Sequence, residues 1–117
     1  MPFSRLTFLA ALFSMPSLLA SPPVECVKQM KKEARFAAML LPTMAKLCAG
    51  ATSLAPIDCA KAAADDAKLK LLTWQQTAHL CAGATSNEPV ACAKTAAEDP
   101  ELKFLSWNDT IQLCAEK

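Results

Sequence analysis

The six cysteines of this chain form two sets, and within each set they recur in steps of 33. The first set is Cys26, Cys59 and Cys92, and the second set is Cys48, Cys81 and Cys114. The steps along the chain therefore alternate between 22 and 11. An even number of regularly spaced cysteines in a short chain is typical of a disulfide framework, and a fixed period is typical of a tandem repeat.

The repeat is visible in the rest of the sequence as well. Residues 49–81 and 82–114 align without a gap and are identical at 19 of 33 positions. A more diverged repeat begins at Pro23 and ends at Cys48, as expected of a terminal unit with one neighbour. We therefore divide the chain after residue 20 into one domain of three repeats, 23–48, 56–81 and 89–114, joined by linkers 49–55 and 82–88. The consensus residues of known helical repeats of this length are missing, so the sequence assigns no family.

Each repeat has the signals of two short helices. Pro56 and Pro89 suit the first position of a helix, and alanine-rich segments follow them. Thr73 with Gln76 matches a capping box at the start of the second helix, and Gly83 suits its C-terminal cap. We predict an all-α fold, a short α-solenoid of three tandem 33-residue helical hairpins stapled by disulfides.

Helical spacing also predicts which side chains are buried. We expect a stripe in each second helix to face the core, widened by the leucine next to each cysteine. The stripes are Leu41, Met44, Ala45 and Cys48; Trp74, Thr77, Ala78 and Cys81; and Trp107, Thr110, Ile111 and Cys114, with Leu47, Leu80 and Leu113 beside them. We expect the segments 69–72 and 102–105 to form short helical turns that fill the core.

The spacing leaves two local schemes for pairing the cysteines. In the first scheme each hairpin closes on itself, through Cys26–Cys48, Cys59–Cys81 and Cys92–Cys114. In the second scheme Cys48–Cys59 and Cys81–Cys92 cross the linkers, and Cys26 and Cys114 are left over. We favour the first scheme because it alone pairs all six cysteines locally, although sequence does not strictly determine connectivity.

Residues 1–20 have the pattern of a secretory signal peptide. Arg5 precedes an apolar run that ends at Ala20, and the run is short for a membrane span. We therefore expect a secreted protein, periplasmic if the source is bacterial, with no stable membrane span once the signal is removed. Without Arg5, 11 basic residues balance 11 acidic ones. This balance argues against nucleic acid as a partner, since phosphates require a basic surface.

The sequence shows no convincing catalytic, metal or cofactor site. A zinc site is not expected, because no Cys-x₂₋₄-Cys pair is present. His79 has no histidine counterpart in the other repeats, so we interpret it as a solvent-facing helix residue. We likewise interpret the acidic residues at 65–66 and 98–101 as solvated helix ends, since they lack calcium-loop spacing.

Two further features bear on binding. The first repeat carries a cluster of basic residues, Lys28, Lys31, Lys32 and Arg35, which is a candidate binding surface. Asn108 begins the triplet Asn-Asp-Thr, which matches the acceptor pattern for N-glycosylation. The tryptophans at 74 and 107 occupy matching positions, and we expect them to pack in the core.

Repetition without a catalytic set favours a secreted, non-enzymatic binding module for an extracellular protein or surface. The alternative is a carrier of small hydrophobic ligands or lipids. In that case we expect an apolar cavity among Met30, Phe36, Met39, Met44 and Leu72.

Overall fold

The computed structural model describes residues 21–116, and in that range it contains six α-helices and no β-strand. The helices are α1 (Pro22–Lys32), α2 (Leu41–Cys48), α3 (Ala55–Asp65), α4 (Trp74–Cys81), α5 (Glu88–Glu98) and α6 (Trp107–Cys114). Short 3₁₀ turns at Ala34–Phe36 and Leu69–Leu71 connect α1 to α2 and α3 to α4. The predicted all-α fold is confirmed. The predicted signal peptide lies outside the described residues.

Disulfides close each of the three helix pairs. The bonds join Cys26 to Cys48, Cys59 to Cys81 and Cys92 to Cys114, with Cα atoms 5.7, 5.7 and 5.5 Å apart. In each pair the fifth residue of the first helix is bonded to the last residue of the second helix. This placement brings the last turn of the second helix next to the middle of the first helix. Three disulfides within one chain indicate an extracellular or otherwise oxidising compartment.

The hairpins stack in the order of the sequence. The helix α2 packs against α4, and α4 packs against α6, while α3 packs against both α1 and α5. Within residues 21–116, the first hairpin makes no packing contact with the third. Contacts between nearest neighbours alone are the arrangement expected of a solenoid. No helix in this stack is both long and apolar enough to cross a bilayer.

Local signals in the sequence fix the ends of the helices. Thr73 Oγ1 accepts a hydrogen bond from the Gln76 N–H, and the Gln76 side chain accepts one from the Thr73 N–H, which completes the predicted capping box. Gly50 and Gly83 follow α2 and α4 with φ angles of +73° and +62°. Only glycine adopts this left-handed conformation at little cost, which explains both residues.

The core follows the predicted stripes in the interior of the stack but not at its two ends. Leu47 and Leu80 are buried, whereas Leu113 is exposed. Leu41 and Ala45 of the first hairpin are exposed as well. The expectation that these three are buried was wrong, because helical spacing does not show which faces a neighbouring hairpin covers.

The connecting segment of the third hairpin differs from its equivalent in the second. Leu69 and Leu72 are buried, as expected, and Leu69 begins a 3₁₀ turn. Leu102 and Leu105 are exposed, and residues 102–105 form turns without a helix. The prediction that segment 102–105 fills the core was therefore wrong. The 3₁₀ turn after α3 packs against α5 of the next hairpin, and the described chain has no later hairpin to cover the third segment.

Candidate functional site: a groove repeated in each hairpin

Each hairpin carries a groove between its two helices and the segment that connects them. Six positions line the groove, and equivalent positions recur in every repeat. In the first hairpin they are Lys31, Phe36, Ala37, Met39, Leu41 and Met44. In the second they are Ala64, Leu69, Lys70, Leu72, Trp74 and Thr77. In the third they are Ala97, Leu102, Lys103, Leu105, Trp107 and Thr110. We call these the hairpin grooves.

Trp74 forms part of the wall of the second groove and also connects it to the first hairpin. The Trp74 and Phe36 rings meet edge to face, with centroids 5.5 Å apart and an interplanar angle of 74°. The indole is half-buried, since one side packs on the core and the other lines the groove. Aromatic pairs of this geometry add about 0.5–1.5 kcal/mol beyond simple burial. The wall of the groove is thus held in place by the junction between hairpins.

Trp107 has the matching position in the third groove. It too is half-buried and packed against the core. The expectation that both tryptophans pack in the core therefore describes one side of each ring, and the other side lines a groove. A half-buried indole offers a large, rigid contact surface to a ligand.

The three grooves differ in size, and both the residue at one position of the first helix and the contacts with the neighbouring hairpin contribute to the difference. The second groove has a volume of about 530 Å³, and Ala64 occupies this position. In the first groove the same position is Lys31, and the volume is about 220 Å³. The longer lysine side chain occupies part of the space that a methyl group leaves open. In the third groove, with Ala97, the volume is about 270 Å³, and side chains of the second hairpin also line it.

Lysines line every groove beside the apolar walls. Lys31 contributes to the first groove, Lys70 to the second, and Lys103 together with Lys68 to the third. All four are exposed. Lys103 Nζ lies 5.2 Å from the centre of the Phe104 ring, a distance typical of a cation–π contact. Each groove therefore combines an apolar wall with a positively charged edge.

Asp66 holds the turn that carries the second groove. Its Oδ1 accepts hydrogen bonds from the backbone N–H groups of Leu69 (3.0 Å) and Lys68 (2.8 Å). Lys94 Nζ, from the next hairpin, lies 3.9 Å from Oδ2. The hydrogen bond from Leu69 contributes most to lowering the pKa of Asp66, followed by the one from Lys68, and the charge of Lys94 acts in the same direction.

The predicted basic cluster is divided between two environments. Lys28 and Lys31 border an apolar groove on the outer side of the first hairpin. Lys32 is exposed at the end of α1. Arg35 donates a hydrogen bond to Asp65 of the second hairpin, with 3.0 Å between Nη1 and Oδ1. Arg35 therefore belongs to a junction between hairpins, and the other three remain available for binding.

The remaining candidate residues lie on the surface. Lys46 Nζ lies 2.7 Å from Nε2 of His79, an exposed pair that joins equivalent positions of the first two hairpins. Asn108 is exposed in the first turn of α6, where its Oδ1 accepts a hydrogen bond of 3.4 Å from Gln76 Nε2. Among residues 21–116, no group of three His, Cys, Asp or Glu side chains could hold a metal ion.

Sequence reasoning did not find the grooves. The signal was nevertheless present, because Lys31, Ala64 and Ala97 hold equivalent positions in the three repeats and face equivalent spaces. Recognising a groove from these positions requires the angle between the two helices of a hairpin, which the repeat pattern does not give. Comparison with protein-family models, with curated proteins and with solved structures found no match to this chain.

Proposed function

We propose that the protein is a secreted, non-enzymatic module that binds an extracellular protein or surface through its hairpin grooves. The observation that carries the proposal is the recurrence of one groove, lined by equivalent residues, in each of the three hairpins. A partner that extends along the stack can occupy several grooves at once. Linked contacts of this kind raise affinity through effective concentration, without requiring a strong single site.

The chemistry of the grooves suggests the class of partner. The walls present Trp74, Trp107 and leucines, and the edges present lysines such as Lys70 and Lys103. Side chains of this kind favour a partner that carries apolar groups next to carboxylates or other anions. The aromatic side chains of the grooves can contact the apolar groups of such a partner, and the lysines can pair with its anions.

Secretion is supported by the sequence and by the bonding of the cysteines. The segment 1–20 has the composition of a signal peptide, and three disulfides occur in the short chain that follows it. Chains of this size that bury little apolar area commonly rely on disulfides in oxidising compartments.

A non-enzymatic role is supported by the surroundings of the single histidine. The side chain that contacts His79 is Lys46, a cation. A catalytic base of the familiar hydrolase type is instead oriented by a carboxylate and contacts a nucleophile. The six cysteines are all in disulfides and are not available as nucleophiles.

The alternative, a carrier of small hydrophobic ligands or lipids, has less support. The side chains expected to surround such a ligand are packed in the core, and Phe36, Met39 and Met44 also line the first hairpin groove, which has a volume of only about 220 Å³. Met30, Phe36, Met39 and Met44 are all buried within one continuous cluster. An internal ligand would have to displace these contacts, whereas the hairpin grooves are already open at the surface.

Affinity capture with two matched variants tests the proposal. The disulfide-bonded protein is immobilised and exposed to extracellular fluid from its source, and bound proteins and polysaccharides are identified. Ala64→Lys places a lysine in the largest groove, and Lys31 shows that the fold accepts lysine at this position. Ala91→Lys adds the same charge at an exposed site where the other repeats have Glu25 and Asp58.

We expect Ala64→Lys to weaken capture about tenfold, and Ala91→Lys to leave it unchanged. Tryptophan emission should change when the purified partner is added to the native protein, because Trp74 and Trp107 line the grooves. Equal capture by the two variants would refute the role of the grooves. Co-purifying lipid in native mass spectrometry, with no captured macromolecule, would favour the carrier.

A further inference from the structure

The two ends of the stack expose surfaces whose equivalents are mostly buried at the internal junctions. The N-terminal face consists of Val24, Val27, Leu41 and Ala45, bordered by Lys28 and Lys31. The C-terminal face consists of Leu102, Leu105 and Leu113, next to Asp99. Each position on these faces has an equivalent in both of the other repeats, so the internal junctions show what packs there.

On the N-terminal face, exposed apolar side chains occupy positions whose equivalents in the second and third repeats are less exposed. Val24 is 51% exposed, whereas its equivalents Ile57 and Val90 are 2% and 8% exposed. The equivalents of Ala45 are the buried Ala78 and Ile111. The N-terminal face contains an apolar groove of about 430 Å³. In the second and third hairpins, the same face packs against the hairpin that precedes it.

The C-terminal face shows the complementary pattern. Leu113 is 58% exposed, whereas its equivalents Leu47 and Leu80 are both 0% exposed. Leu105 is exposed, whereas its equivalent Leu72 is buried. In the first two hairpins, this face packs against the hairpin that follows. Capped repeat arrays end in polar outer faces, so two apolar ends indicate surfaces that another unit covers.

A repeated ion pair gives the register of that other unit. At the first junction Lys61 Nζ lies 2.8 Å from Glu33 Oε1, and at the second Lys94 Nζ lies 3.9 Å from Asp66 Oδ2. In both pairs the lysine follows its acidic partner at the same spacing along the chain. The equivalent lysine of the first repeat is Lys28, at the N-terminal face. The equivalent acidic residue of the third repeat is Asp99, at the C-terminal face.

The geometry of Asp99 fits this series. Its Oδ1 accepts hydrogen bonds from the backbone N–H groups of Glu101 (2.7 Å) and Leu102 (3.2 Å), as Oδ1 of Asp66 does in its own turn. In Asp66 the second oxygen faces the lysine of the next hairpin. Among residues 21–116, neither Asp99 nor Lys28 forms an ion pair.

We infer that copies of this chain associate head to tail, with the C-terminal face of one copy against the N-terminal face of the next. The register is that of the internal junctions, so Asp99 of one copy pairs with Lys28 of the next, and Leu113 is buried as Leu47 and Leu80 are. The two faces differ, so the contact is heterologous and builds a filament or closes into a ring.

Sedimentation velocity of the purified protein tests this inference, with the N-terminus of the sample determined by mass spectrometry. The weight-average mass should rise as the concentration is increased from micromolar to millimolar. Leu113→Lys should weaken association about a hundredfold, since it places a charge in the contact. Leu54→Lys is the control, because Leu54 is exposed outside both faces and its equivalent is Asn87.

A charge exchange tests the register. Lys28→Glu should weaken association about tenfold, as should Asp99→Asn, which keeps an oxygen for the turn. Lys70→Glu, at an exposed lysine outside both faces, should have no effect. A mixture of the K28E and D99K proteins should associate better than either alone, because every contact between the two proteins then joins opposite charges.

Three results would overturn the inference. The first is a monomer at millimolar concentration with an intact helical spectrum. The second is association that Leu113→Lys and Leu54→Lys weaken equally. The third is a mixture of the K28E and D99K proteins that associates no better than each protein alone. Capture of an external partner through the second hairpin groove is a separate measurement, because Ala64 and the other residues that line this groove lie on neither end face.

Discussion

The three disulfides close loops of the same length but differ in burial, which allows the two contributions of a disulfide to be separated. Each bond joins cysteines 22 residues apart. In the chain-entropy model, closing a loop of about 23 residues stabilises the folded state by about 3 kcal/mol. The perturbation is the replacement of both cysteines of one bond by alanine, in each hairpin in turn.

Burial should make the cost of removing the three bonds unequal. Cys59 and Cys81 are both 0% exposed, whereas Cys114 is 8% exposed and Cys92 is half-buried. Removing two fully buried sulfur atoms leaves voids that cost about 1 kcal/mol each. We therefore expect a loss of about 5 kcal/mol for the central bond, and about 3 to 4 kcal/mol for the Cys92–Cys114 bond.

Urea unfolding followed by helical circular dichroism measures these losses. The Cys26–Cys48 bond shows whether burial or position in the stack determines the loss of stability. It lies in an end hairpin, but both of its cysteines are 0% exposed. It should behave like the central bond. Losses below about 1 kcal/mol for all three would refute the loop-closure reasoning, and equal losses for the two end bonds would refute the burial term. Reduction of all three bonds should unfold the domain, since the sum is comparable to the whole stability of a small domain.

Three further predictions concern the turns. Gly83→Ala should destabilise the fold by about 2 kcal/mol in thermal unfolding, which is more than the effect of Gly50→Ala. Both glycines have a positive φ, but only at Gly83 would the added Cβ lie close to another atom, 3.1 Å from the Ala49 carbonyl oxygen. Equal shifts in melting temperature for the two variants would contradict this prediction. Thr73→Ala should cost about 1 kcal/mol by removing half of the capping box, measured in the same way, and no loss would show that the cap contributes nothing. The lowered pKa of Asp66 means that its charged form stabilises the folded state above the carboxyl pKa of the unfolded chain, and that this stabilisation is lost as pH falls through the lower pKa of the folded state. Asp66→Asn should therefore reduce the loss of stability at acidic pH. An unchanged loss of stability at acidic pH would contradict this role of Asp66.

Much of the fold could be predicted because its signals are local. The proline and glycine positions, the Thr73 capping box and the alanine-rich segments determine six short helices without reference to distant residues. The regular spacing of the two sets of cysteines added the contact between the two helices of each hairpin. These signals act within one repeat, so their outcome does not depend on neighbours.

The faces of the stack could not be predicted in the same way. Leu47, Leu80 and Leu113 occupy equivalent positions and each is followed by Cys-Ala, yet only Leu113 is exposed. The difference arises from a neighbouring hairpin, which no local pattern contains. The hairpin grooves also depend on how two helices cross, and the period of the repeat fits more than one crossing angle.

The central claim is that each of the three hairpins is closed by its own disulfide. Mass spectrometry of a tryptic digest of the denatured, unreduced protein tests it directly. Trypsin cuts after Lys46 and Lys61 and after Lys70 and Lys94, so Cys48 and Cys59 fall in one peptide, and Cys81 and Cys92 fall in another.

The two pairing schemes then give different masses. Bonds within the hairpins join four cysteine-containing peptides into one species, which extends from the peptide with Cys26 to the peptide with Cys114, and this is the predicted result. Bonds across the linkers would instead give two separate, internally closed peptides, 47–61 and 71–94. Detection of those two peptides as the main products would contradict the account.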